Sequence, residues 1–172
     1  MHSAPHEHKK SAPTALGVAI LTVSDSRNGS TDRSGDLLAQ LALDAGHRVA
    51  WRKLVRDEIP DIRAAAEEAL RADGIDALLV TGGTGIAPRD VTPEALAPLL
   101  AKRLPGFGEL FRSLSYQSIG SAALLSRADA GIHEGRAVFL LPGSPDACRL
   151  ALEKLVLPEL GHIVGLARRH AS

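Results

Sequence analysis

A three-layer α/β sandwich, with a mainly parallel central sheet and helices on both faces, is the architecture that this 172-residue chain predicts. Three apolar runs of strand length, LGVAILTVS (16–24), DALLVTG (76–82) and AVFLLPG (137–143), lack polar alternation, as strands covered on both faces do. Helix-length amphipathic stretches lie between the strand candidates, and parallel strands need crossovers of that kind.

The elements follow in order. After the first strand comes a polar loop, DSRNGSTDRSG, and then a helix with Leu37, Leu38, Leu41 and Ala45 on one face and Gly46 as its stop. HRVAWRKLV (47–55) is a second strand, polar enough to lie near an edge, and Pro60 to Ala72 forms a second amphipathic helix. The third strand, DALLVTG, is followed by Thr92, Pro93 and Glu94: a cap, a first-turn proline and an acid in the order a helix start prefers. SRADAGIH (126–133) is a weaker strand that pairs with AVFLL as a hairpin at one side of the sheet. Ser144, Pro145 and Asp146 repeat the helix-start signal. Residues 1–14, rich in His, Pro, Ser and Lys, read as a flexible tail, and residues 15–169 as a single domain. His2, His6 and His8 lack a Cys or carboxylate pair to complete a metal site.

Charge and cysteine content narrow the function. Twenty basic residues balance twenty acidic ones, so no basic field draws in nucleic acid or a membrane surface. Small anions remain possible ligands, because local backbone N–H groups bind them without help from net charge. A lone Cys148 excludes a disulfide framework and, with no signal peptide or membrane span in the sequence, leads us to expect a cytoplasmic protein. Near a helix start its thiol has no resolving partner and reads as inert packing. Phe107 and Phe111 read as core or interface packing, Trp51 as an edge contact, and His47, His133 and His162 as surface or turn residues.

In open α/β sheets the ligand crevice lies beyond the carboxyl ends of the strands. Four loops leave such ends here: Ser24 to Arg27, Arg56 to Glu58, Thr81 to Gly85, and Pro142 to Asp146. Their hydroxyls, glycines and carboxylates suit contact with a ligand, and a shared pocket is the economical reading. In the third loop Gly82, Gly83 and Gly85 permit positive φ and close approach, while Thr81 and Thr84 add hydroxyls, which makes an anion cradle or a tight turn. Neither a Walker loop nor a dinucleotide fingerprint is present. Asp90 would favour the positive end of the helix after it, or hold a divalent ion against ligand phosphates. Asp57 would do the latter or be a solvated turn residue. Asp25 and Arg27 would cap, reach ligand or pair with each other, pairing being favoured, and Arg89 is a counter-charge or one half of an ion pair.

Five stretches, LTVSDSR, TGGTGIAPRDVTPEA, PGFGELFR, LSRADAGI and LPGSPDACRLALEKLVLPEL, resemble in order and spacing the MogA/MoaB family of molybdenum-cofactor biosynthesis proteins. SYQSIGSAALLSRA and SPDACR resemble the MoaB branch more closely, and Ser144 stands where many catalytic members carry Asn or Gln. The resemblance implies a pterin-binding α/β domain, a homotrimer or homohexamer, with possible contacts to other enzymes of the pathway. It implies an adenylyltransferase that moves AMP from ATP to the terminal phosphate of molybdopterin and releases pyrophosphate. The alternative is an oligomer that binds molybdopterin or a precursor without adenylylating it; a third is an unrelated nucleotide-binding regulator. By the resemblance, Asp57 and Asp90 are catalytic and hold Mg²⁺. Thr81, Gly82, Gly83, Thr84, Gly85, Ser126 and Ser144 match the family's ligand contacts, and Ser24, Asp25, Arg89, Pro142 and Gly143, read from the strand-end loops and their continuation, are expected to join them.

Overall fold

The computed structural model describes residues 15–27 and 29–169, so the tail and its three histidines lie outside the described residues. Its centre is a six-stranded sheet in the order β2-β1-β3-β6-β5-β4. The strands are β1 (Gly17–Val23), β2 (Arg48–Val55), β3 (Ala77–Thr81), β4 (Lys102–Arg103), β5 (Asp129–His133) and β6 (Arg136–Leu141). The helices are α1 (Arg33–Asp44), α2 (Ile59–Arg71), α3 (Thr92–Leu96), α4 (Pro105–Ile119), α5 (Pro145–Ala151) and α6 (Leu157–Arg168).

Four neighbouring strands, β2, β1, β3 and β6, run parallel, and β5 and β4 join antiparallel. The mainly parallel sandwich is therefore what forms. Every residue of β1 and β3 is buried. Alternate side chains feed two cores: Leu79 and Phe139 lie on one face with α1, α4 and α6, and Leu78 and Val80 lie on the other with α2 and α3. Phe107 and Phe111 belong to the first core, with Phe107 edge-on to Phe139 at 5.4 Å between ring centres. The β5–β6 hairpin turns through Glu134 (φ 45°) and Gly135 (φ 79°), the paired positive φ that a two-residue turn needs to match strand twist.

Local details depart from the sequence reading in three places. Ala45 ends α1 exposed, and the buried stripe is Leu38, Ala39 and Ala42 with Leu37 and Leu41 beside it; Gly46 (φ 84°) stops the helix as expected. Thr92 does not cap α3. Val91 holds the cap position, and the buried Thr92 hydroxyl instead donates to the Gly82 carbonyl at 2.8 Å. Strand β4 and helix α4 had no periodic signal, since β4 spans two residues and α4 carries glycines at 106 and 108. Between α5 and α6 the helix widens into a π turn at Leu152–Val156. Pro158 just beyond it has no N–H to give the carbonyl four residues back, and the wide turn absorbs the misfit.

Trp51 on β2 is half-buried and donates its indole N–H to Glu68 at 3.3 Å. His47 is more structural than a turn residue: it is half-buried, its Nδ1 accepts the Leu16 N–H at 3.4 Å, and burial pushes its pKa down. No helix among the described residues is long and apolar enough to cross a membrane.

Candidate functional site

Because β2 lies on one side of β1 and β3 on the other, chain direction across the sheet reverses between β1 and β3. Their carboxyl ends splay apart there and open a crevice. A cavity of about 450 Å³ occupies it, lined from all four strand-end loops.

The glycine loop forms its floor. Gly82 (φ 106°) and Gly83 (φ 64°) take the left-handed conformation that glycine supplies without strain. Gly85 does not have positive φ; it is small because a Cβ there would stand 2.6 Å from the Asp90 carboxylate. Thr84, Ser24, Asp57, Asp90, Ser126, Pro142, Gly143 and Ser144 complete the expected lining. Asp57 and Asp90, 33 residues apart in the chain, thus face one hollow.

Three expected ligand residues are placed elsewhere. Thr81 is buried, and its hydroxyl donates to the Pro142 carbonyl at 2.8 Å, tying the β3 loop to the β6 loop. Asp25 and Arg89 form a rim. Arg89 donates from Nε and Nη2 to the two Asp25 oxygens, both at 3.0 Å, and from Nη1 to Glu58 at 2.8 Å. The favoured Asp25–Arg27 pair does not form: Arg89 is Asp25's partner, and Arg27 donates to Ser34 and the Gly143 carbonyl. Arg27 enters the cavity lining, which is the ligand-reaching alternative to the favoured pairing.

The rim acts on the cavity. Asp25 accepts the Asp57 N–H at 3.2 Å, so one loop positions another. The Arg89 hydrogen bonds hold the Asp25 carboxyl below its ordinary range. Burial pushes the Asp57 carboxyl above its ordinary range, and the charges of Asp25 and then Asp90 push the same way. Asp90 folds back on its own loop, accepting the Ala87 N–H at 2.8 Å, and does not cap the helix that follows.

Sequence reasoning missed Arg127, which clamps the glycine loop from outside. It donates to the Gly85 carbonyl at 2.7 Å and to the Asp90 carbonyl at 2.5 Å, and it also pairs with Glu94. Its signal lies in LSRA, directly after Ser126. Ser144 caps α5 by accepting the Ala147 N–H at 3.3 Å, as its Ser-Pro-Asp context implies. Cys148 sits beneath with its thiol between Thr81 and the Pro142 carbonyl, each at 3.2 Å, and burial pushes its pKa up to about 11. Its place is in the packing beneath the cavity.

No cluster of three His, Cys, Asp or Glu side chains among the described residues forms a metal site by itself. Two carboxylates at one cavity are an oxygen-only donor set, which fits a hard cation that takes its other ligands from substrate phosphates.

Residues 19–162 match the family model described as "Probable molybdopterin binding domain". The chain belongs to that family. Among its relatives is the molybdenum cofactor biosynthesis protein B of Bacillus subtilis (strain 168), 48% identical over 95% of this chain and 96% of the relative. A crystal structure of a molybdenum cofactor biosynthesis protein B superposes with a TM-score of 0.89, at 47% identity over 92% of this chain and 99% of that one. The tungsten cofactor synthesizing protein MoaB from Pyrococcus furiosus gives 0.82, at 39% identity over 91% and 99%. For the molybdopterin-binding family, the MoaB-branch resemblance read from SPDACR and its neighbours is thus borne out.

Proposed function

We propose that this protein acts in molybdenum cofactor biosynthesis in the cytoplasm as a molybdopterin adenylyltransferase. A phosphate oxygen of molybdopterin attacks the α-phosphorus of ATP; a new P–O–P bond forms, the α–β bond breaks, and pyrophosphate leaves with the electron pair. The single observation that carries the reading is the convergence of Asp57 and Asp90 on one glycine-floored cavity. The nucleophile is already an anion, so placement and charge neutralisation matter more than a general base. Bound Mg²⁺ supplies that neutralisation.

The chain's own residues do the placing. Gly82 to Gly85 bring backbone close to phosphate, Asp57 and Asp90 would hold the cation, and Ser126 and Ser144 complete the wall of the cavity. Asp25 fixes Asp57, and Arg89 fixes Asp25. Assembly as a homotrimer or homohexamer is supported by Leu110, Tyr116, Ile119 and Leu124, large apolar side chains left exposed along α4 and the turn after it.

Purified protein mixed with molybdopterin and MgATP is expected to release pyrophosphate. Asp90→Asn should lower that rate by roughly a hundredfold or more, since an acid that positions the neutralising charge is lost, while molybdopterin binding persists. Unchanged turnover in Asp90→Asn removes the catalytic role and leaves a pterin-binding protein.

A further inference from the structure

We propose that Arg27 is the anion-binding residue of the cavity, and that it takes the phosphate monoester of the pterin at the end opposite Asp57 and Asp90. The name of the ligand rests on the function proposed above; the anion site rests on the geometry alone.

Arg27 is the one basic side chain among the described lining residues, against two acids. The glycines show where each charge stands. A Cβ on Gly143 would lie 3.9 Å from Arg27 Nη2 and 3.4 Å from the Gly82 Cα. One on Gly83 would lie 3.0 Å from Asp57 Oδ1, and one on Gly85 would lie 2.6 Å from Asp90 Oδ2. Gly82, Gly83 and Gly85 therefore lead, in chain order, from the guanidinium to the carboxylates. The cavity is polar along its length.

The two arginines of these loops differ in what holds them. Arg89 is spent between Asp25 and Glu58, and it does not line the cavity. Among the described residues Arg27 donates only to neutral oxygens, Nη2 to the Gly143 carbonyl at 2.7 Å and Nη1 to the Ser34 hydroxyl at 3.3 Å. Ser34 donates to the same Gly143 carbonyl at 2.7 Å, and Ser24 Oγ accepts the Arg27 backbone N–H at 3.2 Å. The guanidinium is thus fixed in direction, with its charge uncompensated by any carboxylate within ion-pair distance among the described residues. Its remaining N–H groups form the planar fork that matches phosphate oxygens.

A ligand pair carrying phosphate at two points can lie only one way in such a field. Phosphates at the Asp57 and Asp90 end need a cation between them and the acids, whereas a monoester at the Arg27 end is attracted directly. Arg27 therefore orients the pterin, with its phosphate pointing along the glycine loop towards the nucleotide.

The test is a magnesium-free titration of the full chain with molybdopterin and with its dephosphorylated form, for wild type, Arg27→Gln and Arg27→Lys. Arg27→Gln should weaken molybdopterin binding about ten- to hundredfold, the worth of a charge-assisted hydrogen bond, and leave the dephosphorylated pterin unaffected. Arg27→Lys should fall between, and it serves as the folded comparison should the glutamine variant lose its structure. Equal loss for both ligands, or loss for neither, overturns the assignment. A wild type that binds neither pterin overturns the proposed function instead, and inorganic phosphate then decides for Arg27. Saturable phosphate binding that Arg27→Gln abolishes sustains the site; binding that is absent or unchanged in the variant ends it.

Discussion

The two sides of the sheet's carboxyl end are built on opposite physical plans. On the β2–β3 side, Asp25, Asp57, Glu58, Arg89 and Asp90 form a wet, charged rim in which every ion pair is at least partly exposed. On the β6 side, Thr81, Cys148, Ser34 and the Pro142 and Gly143 carbonyls lock together through neutral hydrogen bonds, mostly out of water. Exposed ion pairs are worth little and rearrange cheaply, whereas buried neutral bonds are costly to break. One side can adjust to cation and nucleotide while the other stays fixed.

Gly83 sits where the two plans meet, and altering it should produce the largest effect. Gly83→Ala forces an alanine into φ 64° and drives a Cβ to 2.4 Å from the buried Thr92 hydroxyl. We expect a loss of about 1 to 3 kcal/mol by chemical denaturation, with pyrophosphate release falling alongside. A variant as stable as wild type would mean that the junction is soft and the contrast between the two sides false.

An intermediate effect is confined to the charged side. Burial raises the Asp57 pKa above its ordinary value, so the fold favours its protonated form. Stability from this group is present below the ordinary aspartate pKa and declines as pH rises through the raised one; the ionised form that a cation needs is lost earlier on acidification. In the magnesium-free protein the Asp57 carboxyl, titrated by NMR, should therefore ionise above the ordinary aspartate range and shift down in Asp25→Asn, which removes the neighbouring negative charge. A titration unmoved by that substitution would detach the rim from the cavity.

The smallest effect belongs to the neutral side. With its pKa raised to about 11, Cys148 should resist iodoacetamide at pH 8 in the folded protein and react once denatured, because its thiolate fraction is on the order of a thousandth. Rapid labelling would show that this side opens readily.

What the sequence disclosed follows from the same contrast. Strands β1, β3 and β6 were legible because burial on both faces leaves an unbroken apolar run, and the four loops because strand ends collect polar residues for a reason. Pairings across loops were not legible. Asp25 meets Arg89 over 64 positions and Arg27 meets Gly143 over 116, and no local rule encodes such partners. Thr81 and Thr92 read as hydroxyls for a ligand or a cap, yet both are consumed in stitching one loop to the next. Helix α4 was hidden because its glycines lower helical propensity, and packing of Phe107 and Phe111 outweighs that cost.

The flanks of the sheet carry a last consequence. Strand β4 is two residues long, and β2 at the other margin bears exposed Arg48, Arg52 and Lys53. Neither margin offers a long, uncharged ladder for another chain to extend. Any association between copies would therefore run through helical surfaces, and the hydrogen-bonded ribbon at the heart of each would stay private to its own chain.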